Sequence, residues 1–237
     1  MAIMNDEFSR LNRERILLSE LAENAVAKMP VCLCIDTSYS MGEHHKIFDV
    51  NNGIRRMLSD MRKSIYSRDS VELCMISFGG EDIEVVCDFT DVSKFNFQDF
   101  SFKGSTPLGK AVKYAADYIT KRVNLYQKAG IQYYRPWLII ISDGKADDEE
   151  ECRQSASKIR EMCRNRQLNV ICGSFGNDCR SFTDFVNKNN IIDIEKISVV
   201  DFFSYLSKSV EKMNQSSCLF NEEEVMSELQ DDIINGW

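Results

Sequence analysis

Five oxygen-bearing side chains, spread over three short segments, could together hold a hard divalent cation. Asp36, Ser38 and Ser40 belong to Asp36-Thr-Ser-Tyr-Ser40, which directly follows the apolar run Val31-Cys-Leu-Cys-Ile35. Thr106 lies in Gly104-Ser-Thr-Pro-Leu-Gly109, and Asp143 ends the run Trp137-Leu-Ile-Ile-Ile-Ser-Asp143, just before Gly144. Two carboxylates and three hydroxyls are ligands of the kind that Mg²⁺ takes in an octahedral shell, and such a set leaves room for waters and one outside ligand. The carboxylates roughly neutralise the ion. The neutral hydroxyls leave it electrophilic enough to accept a further anionic oxygen, for which a partner's Asp or Glu is the natural source. The chain therefore reads as a metal-dependent binder before it reads as an enzyme. Mg²⁺ is the expected ion, with Mn²⁺ and Ca²⁺ left open.

The elements that must position these groups follow from periodicity. Phe8, Leu11, Leu18, Leu21, Ala22 and Ala25 recur at helical steps, which predicts a helix over 5–28 that Pro30 stops. The nearly continuous apolar run 31–35 is expected of a central parallel strand. Further strands are predicted at 71–78, 137–142, 168–175 and 194–199. A strand at 83–87 should pair antiparallel with its predecessor across Gly79-Gly80. Helices are predicted at about 46–67, 108–128, from Asp147 onward, at 179–189 and at 201–214, and an aromatic-studded loop over 88–103. Strands alternating with helices specify an α/β fold of three layers, a doubly wound, mainly parallel six-stranded sheet with one antiparallel edge strand. Ligands of such sheets bind beyond the carboxyl ends of the strands at the switch point, where Asp36 and Asp143 would flank the crevice.

Asp-x-Ser-x-Ser, a central Gly-Ser-Thr-Pro-Leu-Gly and a late Ser-Asp-Gly resemble, in order and spacing, the metal-ion-dependent adhesion site of von Willebrand factor type A domains. The likeness runs from about Pro30 to about Ser216. It implies a division into an N-terminal helical extension (1–29), the domain itself (30–216) and a C-terminal tail (217–237). It also implies that Ser38 and Ser40 bind the metal directly, and Thr106 in the high-affinity state. Asp36 and Asp143 would hold the ion directly or through water, with Tyr39, Gly104, Ser105 and Gly144 beside it facing the partner. Gly104 and Gly144 would let the loop backbones approach the ion closely. Residues 49–58 and 201–210 are most similar to the small cytosolic bacterial branch associated with tellurium resistance and stress operons. That likeness implies a scaffold or regulator working beside a Ser/Thr protein kinase and a metal-dependent phosphatase.

Two enzyme readings compete. Gly104-Ser-Thr-Pro-Leu-Gly-Lys-Ala111 nearly fits a P-loop, but Ala111 stands where the Mg²⁺-binding hydroxyl belongs, and Pro107 removes an amide from the phosphate cradle. A phosphohydrolase using Asp36 as nucleophile would want a second Asp at position 38, which is Ser. A third reading is a structural scaffold that has lost its metal dependence, and no degenerate ligand position supports it. His44 and His45, adjacent in sequence, are expected to be a solvated pair rather than ligands of one ion.

Composition narrows the classes further. The chain has 237 residues and a net charge of −8, of which the six acidic residues beyond Lys212 supply all but −2. No basic stripe points to nucleic acid. No apolar run approaches the ~18–20 residues that span a bilayer. No basic n-region precedes an apolar stretch at the N-terminus, so the protein is expected to be cytoplasmic. The nine cysteines are odd in number and irregularly spaced, and Cys32, Cys34, Cys74 and Cys172 fall inside strand-like runs, so free buried thiols are expected. In the tail, Val225, Leu229 and Ile233 form an apolar stripe beside six acidic charges and Trp237. It is read either as a self-docked helix or as a segment for partner binding or self-association.

Overall fold

The computed structural model describes residues 26–80, 82–143, 146–176, 180–204 and 207–208. Most of the predicted N-terminal helix, the end of the last helix, the acidic tail and Gly144 lie outside the described residues.

Six strands form one sheet: β1 (Met29–Asp36), β2 (Val71–Gly79), β3 (Asp82–Asp91), β4 (Trp137–Ser142), β5 (Asn169–Ser174) and β6 (Ile191–Asp193). Their spatial order is β3-β2-β1-β4-β5-β6, with β2 and β3 antiparallel and every other pair parallel. The order reverses between β1 and β4, so the crevice beyond their carboxyl ends is the switch point.

Alternation along β1 builds the two core layers. Val31, Leu33 and Ile35 pack with Ile47, Val50, Ile54, Met57 and Met61 of α1 (Lys46–Lys63). The same layer takes Phe202 and Phe203 from helical residues 199–204. Cys32 and Cys34 face the opposite layer with Leu108, Ala111, Val112, Ala115 and Ile119 of α3 (Leu108–Ala129), Ala156 and Ile159 of α4 (Glu149–Arg164), and Phe182 of α5 (Arg180–Phe185). Each fully buried Val, Leu, Ile, Phe or Met contributes roughly 1.5–3 kcal/mol, so both faces of the central strand hold the sheet. The Cys32 thiol is held far above its ordinary value by its hydrogen bond with Cys74 and by burial, and burial does the same to Cys34. These thiols stay protonated and act as small hydrophobes.

Five local expectations change. β3 runs on to Asp91, so residues 88–91 of the expected aromatic loop are strand. β1 begins at Met29, and residues 26–28 are not helical. Pro30 is tolerated because the ladder to β4 starts only at Val31. The helix expected over 46–67 breaks at Ser64 into α1 and α2 (Ile65–Ser70), where the extended Ser64 caps α2 by accepting from the Ser67 amide. The strand expected at 194–199 lies earlier, at Ile191–Asp193. Asp193 then accepts from the Glu195 amide and turns Ile194–Ile197 into the short helix α6. Finally, α4 starts at Glu149 rather than Asp147.

One buried charged cluster ties β2 to α3. The Arg122 guanidinium donates to Glu72 Oε2 from Nε at 2.7 Å and from Nη2 at 2.6 Å. The Tyr126 hydroxyl donates to the same oxygen, and Arg122 lies over the Phe89 and Tyr126 rings.

Candidate metal centre

Asp36 is the last residue of β1 and Asp143 the first after β4, so pairing of those strands sets the two carboxylates side by side. Both are buried, at 0% and 6% exposure. Asp36 is locked on both oxygens: Oδ1 accepts from the Ser38 amide at 2.8 Å, and Oδ2 accepts from the Ser142 hydroxyl. Burial raises the Asp36 carboxyl to about 6. The hydrogen bonds from Ser142 and Ser38 oppose that rise, and the Asp143 charge adds to it.

The hydroxyls gather on the same loop. Ser38 Oγ and Ser40 Oγ lie 3.0 Å apart, and the chain then enters a 3-10 turn, Tyr39–His45. His44 and His45 adopt left-handed backbone conformations (φ 51° and 62°) and are exposed, the solvated pair expected from the sequence. Two non-glycine residues in this region store local strain beside the site.

The Thr106 loop is joined to this one by backbone. The Tyr39 amide donates to Gly104 O at 3.0 Å, and the Lys103 amide donates to Thr37 O. Ser105 is exposed, and its hydroxyl donates to Gly80 O at 3.0 Å. Gly104 has φ 68°, and a Cβ there would lie 2.2 Å from Gly80 Cα. Its close approach is therefore to the β2–β3 turn, a different reason for glycine than the access to an ion expected above.

Asp147 and Asp148 organise the site without having been singled out in the sequence. The Thr106 amide donates to Asp147 Oδ2 at 2.6 Å, and the Asp147 amide donates back to Thr106 O at 3.0 Å. Asp148 precedes α4 but gives it no side-chain cap. Its carboxylate instead accepts from the Gly109 and Lys110 amides of α3, both at 2.9 Å. The N-terminus of α3 thus already holds an anion of this chain, in the place where a P-loop would seat phosphate.

Lys46 is the other contributor missed in the sequence. Its ammonium lies 3.6 Å from Asp143 Oδ2 and 3.3 Å from Ser40 O, and its side chain is only 12% exposed. A fixed cation between two proposed ligand segments should compete electrostatically with an incoming ion. Lys46→Met is therefore expected to tighten Mg²⁺ binding by about tenfold in calorimetry. Weaker binding would mean that the ammonium serves chiefly to order the loop.

The donor set fits a hard divalent cation. Two buried carboxylates that repel each other, with the paired Ser38 and Ser40 hydroxyls on the loop that follows Asp36, make an anionic oxygen cluster that such an ion would neutralise. Among the described residues no three His, Cys, Asp or Glu side chains converge, so a site rich in nitrogen or sulfur ligands is not the alternative there. A cavity of about 660 Å³ opens elsewhere, between α4 and α5. Its Arg153 and Arg160 already bond Glu150 and Thr183 O. Among the described residues no helix is long and apolar enough to cross a membrane.

Comparison with known proteins agrees with the fold. The chain is similar in structure to the vWF domain of the type V pili tip protein Mfa5 from Porphyromonas gingivalis. The TM-score is 0.59 at 9% identity, covering 82% of this chain and 99% of that one. Proximal thread matrix protein 1 from the mussel byssus gives 0.54 at 13% identity, over 83% of this chain and 48% of that one. The chain thus spans about half of the mussel protein, which has also been solved with zinc in its adhesion-site motif. The manganese-loaded TRAP protein of Plasmodium vivax gives 0.50 at 16% identity, over 74% of this chain and 73% of that one. No curated protein matches the sequence significantly. The sequence profile of the von Willebrand factor type A domain matches residues 31–212, most of the chain and every strand beyond the first two residues of β1, and the chain belongs to that family.

Proposed function

We propose that this chain is a non-enzymatic protein-binding module. It docks a partner's Asp or Glu through one divalent cation, with Mg²⁺ the expected ion and Mn²⁺ and Ca²⁺ open, held by Asp36, Ser38, Ser40, Thr106 and Asp143. The observation that carries the reading is the pair of buried carboxylates at adjacent strand ends of the switch point, Asp36 and Asp143. Manganese in the TRAP protein and zinc in the adhesion-site motif of the mussel protein support binding of a divalent ion. The bound ion would supply an open electrophilic position. The chain's own residues fix that position: Ser142 and the Ser38 amide orient Asp36, and Asp147 holds Thr106. Tyr39, Ser105 and the backbone of Gly104 form the surrounding rim.

The finer assignment rests on residues 49–58 and 201–210. We place the chain in the cytoplasm, as a scaffold or regulator beside a Ser/Thr kinase and a metal-dependent phosphatase in a stress or tellurium-resistance system. The acidic tail 217–237 offers carboxylates for self-association at the same site. Proteins retained by the immobilised chain in Mg²⁺ should be released by chelator and should not be captured by Asp143→Ala. Retention that survives both chelator and substitution would overturn the reading.

A further inference from the structure

The mouth of the site carries more than oxygen ligands. Tyr39 stands between Ser38 and Ser40 in the chain, yet it is 67% exposed while Ser38 is buried. Phe102, four residues before Thr106, is 49% exposed. The two rings meet edge to face, with centroids 6.5 Å apart and planes at 68°. Phe89, Phe95 and Phe100, from the same stretch of chain, are all buried, so the exposure of Phe102 is not a property of the segment as a whole.

This ledge is held rigidly. A Cβ on Gly42 would lie 2.9 Å from three atoms of the Phe102 ring, so the ring rests on bare backbone of the Tyr39–His45 turn. Two residues earlier, the Phe100 backbone is clamped at both ends by buried Asn51: Nδ2 donates to Phe100 O, and the Phe100 amide donates to Oδ1, each at 3.0 Å. On the other side, the Lys103 amide donates to Thr37 O. Rings fixed before binding lose little freedom on contact, which favours them as anchors.

We propose that Tyr39 and Phe102 form a seat for an apolar side chain, and that the partner is a protein segment in which the acidic residue has an apolar neighbour within two positions. This rests on the metal-dependent docking reading above. The charge around the seat selects the occupant: exposed Lys103 follows Phe102 in the chain, the Lys46 ammonium lies 3.3 Å from the carbonyl of Ser40 next to Tyr39, and the oxygen ligands require an ion there, so the arriving segment carries a carboxylate. The spacing follows from the chain itself. Tyr39 is one residue from each of Ser38 and Ser40, with Cα atoms ~3.8 Å apart, and an extended partner advances ~3.3 Å per residue. An apolar group can therefore reach the rings only from a position close in sequence to the carboxylate.

Phage display of random dodecapeptides, panned on the immobilised full chain in Mg²⁺ and eluted with EDTA, tests this directly. The eluted peptides should be enriched in Asp or Glu with Leu, Phe, Tyr or Trp within two residues. That enrichment should be about tenfold over acidic residues flanked by Ser or Gly, the factor that partial burial of one apolar side chain gives. On Phe102→Ser, and independently on Tyr39→Ser, the neighbour preference should fall to background. Acidic peptides without a neighbour preference, or a preference that persists in both variants, would overturn the seat and leave the metal-dependent docking standing. An EDTA eluate with no acidic enrichment would remove the docking reading, and the seat with it.

Discussion

Asp36→Asn should abolish divalent-cation binding and, in the absence of metal, make the protein more stable. The two effects have opposite signs because one carboxylate serves both. Loss of half the formal ligand charge should weaken Mg²⁺ by roughly 100-fold or more, since affinity at oxygen sites follows ligand charge. The stability effect follows from linkage. Asp36 sits at about 6 in the fold against an ordinary 3.8, so the folded state holds this proton more tightly than the unfolded chain does. The favourable contribution of the protonated carboxyl is complete below about 3.8 and is lost as pH rises through about 6. At pH 7.5 the ionised, desolvated carboxylate therefore costs about 3 kcal/mol, which Asn avoids while still accepting from the Ser38 amide. Urea denaturation in EDTA should show the variant more stable at pH 7.5 and nearly equal to wild type at pH 4, whereas saturating Mg²⁺ should favour the wild type at neutral pH. An equal difference at both pH values would show that Asp36 titrates normally.

Arg122→Ala should destabilise the fold by about 3–5 kcal/mol, the cost of leaving a buried carboxylate without its partner. Glu72 is 2% exposed and depends on the guanidinium and the Tyr126 hydroxyl. The variant also loses the stacking of Arg122 over Phe89 and Tyr126. Since a domain's whole stability is ~5–15 kcal/mol, the denaturation midpoint should fall steeply. Glu72→Leu combined with Arg122→Met should recover most of the loss, because it removes both charges and fills the space. A double variant no better than Arg122→Ala would mean that packing rather than charge dominates here.

The sequence was most informative where chemistry is local. Asp36, Ser38 and Ser40 share one loop, and the runs ending at Asp36 and Asp143 mark strands that the fold places side by side. It was silent where two distant segments meet. Nothing in the sequence pairs Glu72 with Arg122, 50 residues apart, or Thr106 with Asp147, 41 apart. Asp148 is a case of the same kind: it stands directly before α4, but its carboxylate crosses to the N-terminus of α3, 39 residues back at Gly109. β6 was misplaced because Ile191-Ile-Asp-Ile and Ile197-Ser-Val-Val are both apolar, and an edge strand of three residues leaves little pattern to separate them.

The hydrogen bond from Ser142 to Asp36 joins residues 106 apart in the chain. No part of the ion site that needs both residues can form before β4 has docked beside β1, and closing so long a loop comes at an entropic disadvantage that only the assembled sheet offsets. A cation therefore has nothing to nucleate in the early chain. Its stabilisation falls on contacts made late in folding, so ligation would lengthen the lifetime of the native state far more than it would hasten its formation.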